Sequence, residues 1–306
     1  MRHRILFTGA NGRLGRVLHY HSDAFVDVGL KPLFQSRRLE LGPEWVQWDG
    51  QDPTGLRDAL NGIDIVVNLI GRTPKPDDAT NTNLTAEMEE VNHGLALRIA
   101  DIAEAAGVKT FFALSSSSIY GSAVPPLDES QDGIPLAEYG ESKKAMEHEL
   151  ECRTGPMTCV SLRLGNLAGC DMLLGNALKA SKTNQLKLDQ FPSGFGPLRS
   201  YIGPRDFAYL IAQLARKAKD GVFLPPRLNI CSSTPVRMDA LLKAWNASVP
   251  DPIEWEYRKA TEAATEMVAL DAALLDRVAP ETTRVSEVKE MVAQVLEIFP
   301  PKRFLS

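Results

Sequence analysis

Apolar residues in the first half of this chain come in short runs, each closed by glycine, proline or polar residues and separated by stretches of helical period. Residues 5–8, 32–36, 45–48 and 63–70 predict four strands, of which 63–70 is the clearest; 110–114 and 157–164 predict two more. Residues 16–20, 53–60, 84–106 and 139–151 predict helices, with Pro53 near a first turn and Gly107 closing the longest. The polar, proline-bearing residues 72–82 and 121–137 read as loops. Strands and helices that alternate over short links call for a parallel sheet with right-handed crossovers and helices on both faces, a doubly wound α/β fold. Past about residue 165 the regularity fades. Residues 166–204 mix small helical pieces with a Gly/Pro-rich segment, 206–217 predict a helix, 228–231 a short strand, and 238–245 and 286–298 two last helices. The expected organisation is a first domain over residues 1–165, to which 205–232 return, and a smaller, partly interwoven domain from 166–204 and 233–306.

Composition changes this picture little. A chain of 306 residues with 44% hydrophobic and 24% charged residues is ordinary for a globular protein of one large or two unequal domains. A net charge of −5 argues against binding nucleic acid by broad phosphate neutralisation. Cys152, Cys159, Cys170 and Cys231 form no C-x-x-C pair, and the five histidines have no metal spacing, so reduced thiols and no metal site are expected. No run approaches the roughly 18 apolar residues of a membrane span, and the N-terminus lacks a signal-peptide layout. A cytoplasmic protein without membrane contact is the expectation.

The candidate chemistry starts where the first strand ends. Gly9-Ala10-Asn11-Gly12-Arg13-Leu14-Gly15 puts glycine at every third position between a strand and a helix. Such a turn suits a dinucleotide pyrophosphate: Gly9 for the tight turn, Gly12 for close approach of phosphate oxygens, Gly15 for packing helix on strand. The free N–H groups at the helix start would face the phosphates. The second strand ends in Ser36-Arg37-Arg38, a hydroxyl and two guanidiniums where an acid for a ribose 2′-OH would mark NAD. A 2′-phosphate, and so NADP over NAD, is favoured. Tyr139 and Lys143 stand at i and i+4, on one helix face. A phenol acting as a base near pH 7 needs its pKa of about 10 brought down by about 3, roughly 4 kcal/mol, and an ammonium one turn away works in that direction.

Together these stretches resemble the extended short-chain dehydrogenase/reductase family, in particular its NAD(P)-dependent epimerase/dehydratase branch acting on nucleotide sugars. Over roughly residues 4–232, Thr8 to Gly15 is similar to the family's T-G-x-x-G-x-x-G, Ser115 to Gly121 to its S-S-x-x-V-Y-G, and Tyr139/Lys143 to its Y-x-x-x-K. Asp49 stands at the adenine position, Leu69-Ile70-Gly71 at the strand end beside the cofactor, and Asn92 at a structural asparagine of the long helix. Arg163 to Asn166 resembles the segment meeting nicotinamide and substrate, and Arg199 an arginine that meets the substrate diphosphate. The resemblance implies a Rossmann dinucleotide domain with a substrate-binding domain after it. It implies Tyr139 exchanging a proton with the substrate during hydride transfer, Lys143 holding the nicotinamide ribose and lowering the Tyr139 pKa, and Ser116, with Ser117 as the other register, bonding the reacting oxygen. It also implies a homodimer through the long helix and the Tyr139 helix.

Two departures narrow the expected activity. Family dehydratases carry Thr-Asp-Glu where this chain reads Ser116-Ser117-Ser118, so an acid pair for eliminating water is missing. The basic end of the second strand favours a reductase, because cofactor-regenerating epimerases of the family mostly use NAD. The expected function is an NAD(P)-dependent oxidoreductase or epimerase acting on a nucleotide sugar. A reductase of a smaller carbonyl substrate and a non-catalytic NAD(P)-sensing protein of the same fold are the alternatives.

Overall fold

The computed structural model describes residues 3–75, 78, 80–177, 186–262 and 264–300. Residues 178–185, within the stretch expected to hold small helical pieces, lie outside the described residues, as do 76, 77 and 79 of the polar loop.

One compact unit comprises the described residues of Met1–Ala123, Glu129–Leu164 and Ala208–Leu228. Its strands are β1 (His3–Thr8), β2 (Leu30–Ser36), β3 (Trp45–Gln47), β4 (Ile65–Asn68), β5 (Thr110–Ser116) and β6 (Thr158–Leu164). With the strand Arg227–Ile230 at the end beside β6, they form a seven-stranded sheet, running Arg227–Ile230, β6, β5, β4, β1, β2, β3. All pairings among β1 to β6 are parallel. The central strands are apolar throughout because both faces are covered: Ile5, Leu6, Phe7, Val66 and Val67 are each at most 1% exposed. From β1 the chain winds outward through β2 and β3, then returns to start β4 on the other side of β1. That reversal leaves a crevice beyond the carboxyl ends of β1 and β4.

Six helices lie wholly in this unit, α1 (Arg13–Tyr20), α2 (Asp23–Asp27), α3 (Pro53–Leu60), α4 (Leu84–Glu89), α5 (Leu95–Ala105) and α6 (Glu138–Glu151), and so does most of the helix Pro204–Lys219. The Asp52 carboxylate caps α3 by accepting from the Thr54 and Gly55 amides, with Pro53 in the first turn. The long helix expected over 84–106 is instead broken into α4, a π-helical turn (Glu90–Gly94) and α5. The wide turn carries Asn92, which is fully buried. Its Oδ1 accepts from the Arg72 amide (2.7 Å), and its Nδ2 donates to the Arg72 carbonyl (2.9 Å) and to Ser142 Oγ (3.1 Å). Satisfying that inward amide explains the break, which apolar periodicity does not reveal. The serine-bearing strand also runs longer than expected: Ser115 and Ser116 pair with Arg163 and Leu164 inside the sheet, and a 3₁₀ turn (Ser117–Tyr120) follows.

A second compact unit comprises the described residues of Val124–Asp128, Gly165–Phe207 and Asn229–Ser306. It contains the parallel pair Leu186–Gln190 with Trp255–Lys259, and shorter pairings among Asn166–Leu167, Tyr201–Ile202, Leu198–Arg199, Val236–Arg237 and Met267–Val268. Leu174, Leu241, Trp245, Met291 and Val292 are buried in its core beside Tyr201. The first of these pairs is absent from the sequence reading because its partners lie far apart in the chain. Its outward positions are charged, matched across the strands as Lys187–Glu256 and Asp189–Arg258.

Candidate active site

The crevice at the reversal point is a cleft of about 630 Å³, within the usual size of a cofactor or ligand site. Gly9, Asn11 and Gly12 form one wall. Arg37 and Asp49 to Gln51 lie at the ends of β2 and β3, Leu69 to Arg72 follow β4, and Val91 and Leu95 come from the π turn and α5. Gly9 has φ +71°, and a Cβ there would stand 2.9 Å from Ile70 Cγ1. At Gly15 a Cβ would fall 2.2 Å from the Ala10 carbonyl oxygen, so α1 approaches the turn closer than any side chain allows. Gly12 is the N-cap of α1, offers no capping side chain, and no acid occupies the first turn. The amides of Arg13 and Leu14 begin a helix whose positive end is left to an anion from outside. Arg37, Arg72, Lys75 and Arg98 line the cleft with Asp49 and Glu90, Arg72 paired with Asp78 and Arg98 with Glu90. A cradle without side chains and a bare helix start fit a dinucleotide diphosphate.

Of Ser36, Arg37 and Arg38, Arg37 alone lines the cleft, its stem passing over Gly50. Ser36 is 1% exposed and its Oγ accepts from the Arg38 amide. Asp49 lines the cleft while its Oδ1 accepts from the Gln51 and Asp52 amides, bonds that hold its carboxyl below the usual range. Gln35 went unnoticed in the sequence. Its Oε1 accepts from the Gly9 amide (2.8 Å) and its Nε2 donates to the Trp48 carbonyl (2.7 Å), fastening the glycine turn to the two strands beside it. The available signal was an amide directly after the apolar run Pro32-Leu33-Phe34. Arg72 was missed too: its guanidinium donates to Asp78 (2.6 Å) and to the Thr73 carbonyl, and its backbone is clamped by Asn92.

At the far end of the Gly71 wall stands the tyrosine–lysine pair. Tyr139 is in the first turn of α6, and its phenol is hydrogen-bonded to the Ser116 side chain. Lys143 is 3% exposed; its Nζ donates to the Leu114 carbonyl at 2.8 Å and lies 3.5 Å from where a Cβ on Gly71 would be. Burial brings the Lys143 pKa down to about 8, against the opposing charge of Glu147. Burial likewise pushes the Tyr139 phenol up, with the Ser116 hydrogen bond pulling the other way. The direction is opposite to the lowering the resemblance implies. The physical reason is desolvation, which outweighs the Ser116 hydrogen bond. Ser116 Oγ also accepts from the Ser118 amide (3.2 Å), while Ser117 starts the 3₁₀ turn. The structure therefore brings Ser116, Tyr139, Lys143 and the cleft together.

Asn166 and Arg199 belong to the second unit. Asn166 pairs with Tyr201, its amide donating to the Ser200 carbonyl. The Arg199 guanidinium donates to the carbonyls of Leu198, Glu266 and Thr265 at 2.7–2.9 Å, and burial lowers its pKa. Among the described residues there is no cluster of three or more His, Cys, Asp or Glu that could hold a metal, and no helix is long and apolar enough to cross a membrane.

A family model described as "NAD dependent epimerase/dehydratase family" matches residues 5–229. No curated protein matches the chain in sequence. Several solved structures share its fold. A short-chain dehydrogenase/reductase superfamily protein from Agrobacterium tumefaciens with bound NAD is 21% identical, covering 97% of each chain with a TM-score of 0.74. The UDP-Glc/GlcNAc 4-epimerase from Campylobacter jejuni is 16% identical over 97% of this chain and 98% of its own, with a TM-score of 0.80. A UDP-glucose-4-epimerase from Stenotrophomonas maltophila, with bound NAD and formylated UDP-arabinopyranose, is 14% identical over 97% of each chain, with a TM-score of 0.79.

Proposed function

Because the chain belongs to the NAD dependent epimerase/dehydratase family, enzymes of the extended short-chain dehydrogenase/reductase type, we propose that it is an NAD(P)-dependent oxidoreductase or epimerase acting on a nucleotide sugar. The observation that carries this reading is the Tyr139–Ser116 hydrogen bond beside Lys143 at the Gly71 end of the cleft. A nicotinamide bound there supplies or accepts a hydride. Tyr139 moves the proton: its phenolic oxygen takes it from a substrate hydroxyl, or returns it to a carbonyl oxygen, within hydrogen-bond reach. Ser116 orients that oxygen through its own hydroxyl. Lys143 favours the phenolate by charge, which matters more because burial otherwise raises the phenol. Gly9, Asn11, Gly12 and the first amides of α1, at Arg13 and Leu14, hold the diphosphate, and Gly15 lets them come close. Asp49, Leu69 and Ile70 border the adenosine half, with Asn92 fixing the Gly71-Arg72 segment from behind. Ser116-Ser117-Ser118 provides no carboxyl acid, so dehydration is disfavoured.

Arg37, exposed beside Gly50, is assigned to the 2′-phosphate of NADP, with Ser36 and Arg38 shaping the loop behind it. In the second unit, Asn166 and Arg199 are assigned to the substrate, Arg199 to its diphosphate. The three carbonyls that already take the Arg199 donors favour a second reading, a reductase of a smaller carbonyl compound. A homodimer through α4, α5 and α6 completes the proposal; light scattering would then return twice the 33.6 kDa of one chain. The deciding experiment titrates the purified protein with NADPH and NADH by nicotinamide fluorescence, then follows reduced nicotinamide with a panel of nucleotide sugars and simple ketones. Binding of neither cofactor overturns the proposal. Turnover of ketones alone selects the second reading, as does an Arg199→Ala variant with unchanged KM.

A further inference from the structure

The face of α6 that carries Tyr139 and Lys143 continues one turn further, to Glu147. Glu147 and Arg163 on β6 are each 2% exposed. Arg163 donates from Nε and Nη2 to Glu147 Oε2 at 3.1 and 2.8 Å, and from Nε to Oε1 at 3.3 Å. Its remaining Nη1 donates to the Tyr120 hydroxyl (3.0 Å) and the Glu129 carbonyl (3.3 Å), and the guanidinium lies over the Tyr120 ring. Two charges buried in a helix–strand seam are costly, and apolar residues of similar volume would often pack there at least as stably. The pair therefore asks for a reason beyond cohesion, and the neighbour one turn back supplies it. Lys143 is almost as deeply buried, and Glu147 is the anion whose charge opposes the effect of burial on it. Tyr139 and Glu147 flank Lys143 on its own helix and its Nζ donates to the Leu114 carbonyl of β5, while Arg163 on β6 meets Glu147 and Tyr120 on the turn after β5 meets Arg163. The uncharged Gly71 lies against it from the cleft side.

We propose that Glu147 and Arg163 form a buried positioning pair for Lys143, in which Glu147 supplies an opposite charge one helix turn from Lys143 and Arg163 holds Glu147 in place. The proposal rests on the reading of Lys143 as the partner of Tyr139. In it, Arg163 acts on the active site through two successive charges and touches neither substrate nor cofactor.

The test follows Lys143 itself by NMR of protein carrying ¹³Cε-labelled lysine, the resonance being identified by its absence in Lys143→Arg. The titration needs no nicotinamide, so it reads the pair independently of whether the protein binds one. In Glu147→Gln the Lys143 midpoint should fall by about one pH unit or more, the usual effect of losing an opposite charge at close range. Glu147→Asp, which keeps the charge, should restore most of that loss. Glu147→Met/Arg163→Met leaves no unpaired buried charge, so it should fold and show a fall in the same direction but smaller than in Glu147→Gln, where the Arg163 charge stays behind uncompensated. A Lys143 midpoint unchanged from wild type in the folded double variant would overturn the proposal and make the pair purely structural.

Discussion

At the residue scale, the site depends on desolvated groups whose charge states oppose one another. Tyr139 is raised by burial and Lys143 lowered by it to about 8, so the free site pairs a phenol held neutral with an ammonium close to losing its proton. Turnover should therefore decline as pH rises through about 8, where Lys143 gives up its proton; a pH–rate profile checks it. Tyr139→Phe removes the proton-transfer oxygen and little volume. Its kcat should fall by about 10²–10⁴ while fluorescence titration returns a cofactor Kd close to wild type. Arg37 sits on the opposite side of the cleft and should act on choice of cofactor. A lost charge-assisted hydrogen bond costs about 1.5–3 kcal/mol. Arg37→Ala should then weaken NADPH by about tenfold or more and leave NADH within a few-fold; equal losses for both would remove Arg37 from the 2′-phosphate site.

At the element scale, the glycine turn and the broken long helix carry the argument. Gly15 is where α1 rests on Ala10, and neither backbone can yield to a Cβ 2.2 Å away. Gly15→Ala should cost about 1–3 kcal/mol of stability in urea unfolding and weaken cofactor binding with it, since the shifted helix start is also a wall of the cleft. The π turn is tied to α6 on its outer side by His93, whose ring nitrogens meet Glu89 and Glu149 at 2.5 and 2.8 Å. Burial lowers the His93 pKa, but the two carboxylates more than offset it and the net direction is upward. A folded value above the unfolded one, about 6.5, adds stability that is complete below about pH 6.5 and lost as pH rises through the folded value. The carboxylates are more than half exposed, so the gain is about 1 kcal/mol or less. Thermal melts should separate wild type from His93→Gln below about pH 6 and bring the two together above about pH 8.

At the scale of the whole molecule, the described residues divide into two compact units, and everything that lines the cleft lies in the first. Ligand that binds only the folded chain stabilises it by about 2.7 kcal/mol at a hundredfold excess over Kd. NADPH should therefore raise the melting temperature and slow amide exchange at residues 9–15, 49–51 and 69–72. The strands Leu186–Gln190 and Trp255–Lys259 should keep their exchange rates, because they belong to the second unit. Protection centred on those two strands would place the cofactor elsewhere.

The strands β1, β4, β5 and β6 were legible in the chain because central parallel strands are apolar on both faces, and the glycine turn because only glycine tolerates those backbone approaches. The i, i+4 spacing alone put Tyr139 and Lys143 on one helix face. Residue order could not reveal what depends on partners distant in the chain. Asn92 breaks a helix to reach Arg72, twenty residues earlier, and Gln35 fastens the glycine turn to Trp48. Leu186–Gln190 finds its partner strand only at Trp255–Lys259. The direction of the Tyr139 and Lys143 shifts was decided by tertiary structure as well, since burial is a property of the packed fold, and desolvation there outweighs the charges that spacing alone brings near.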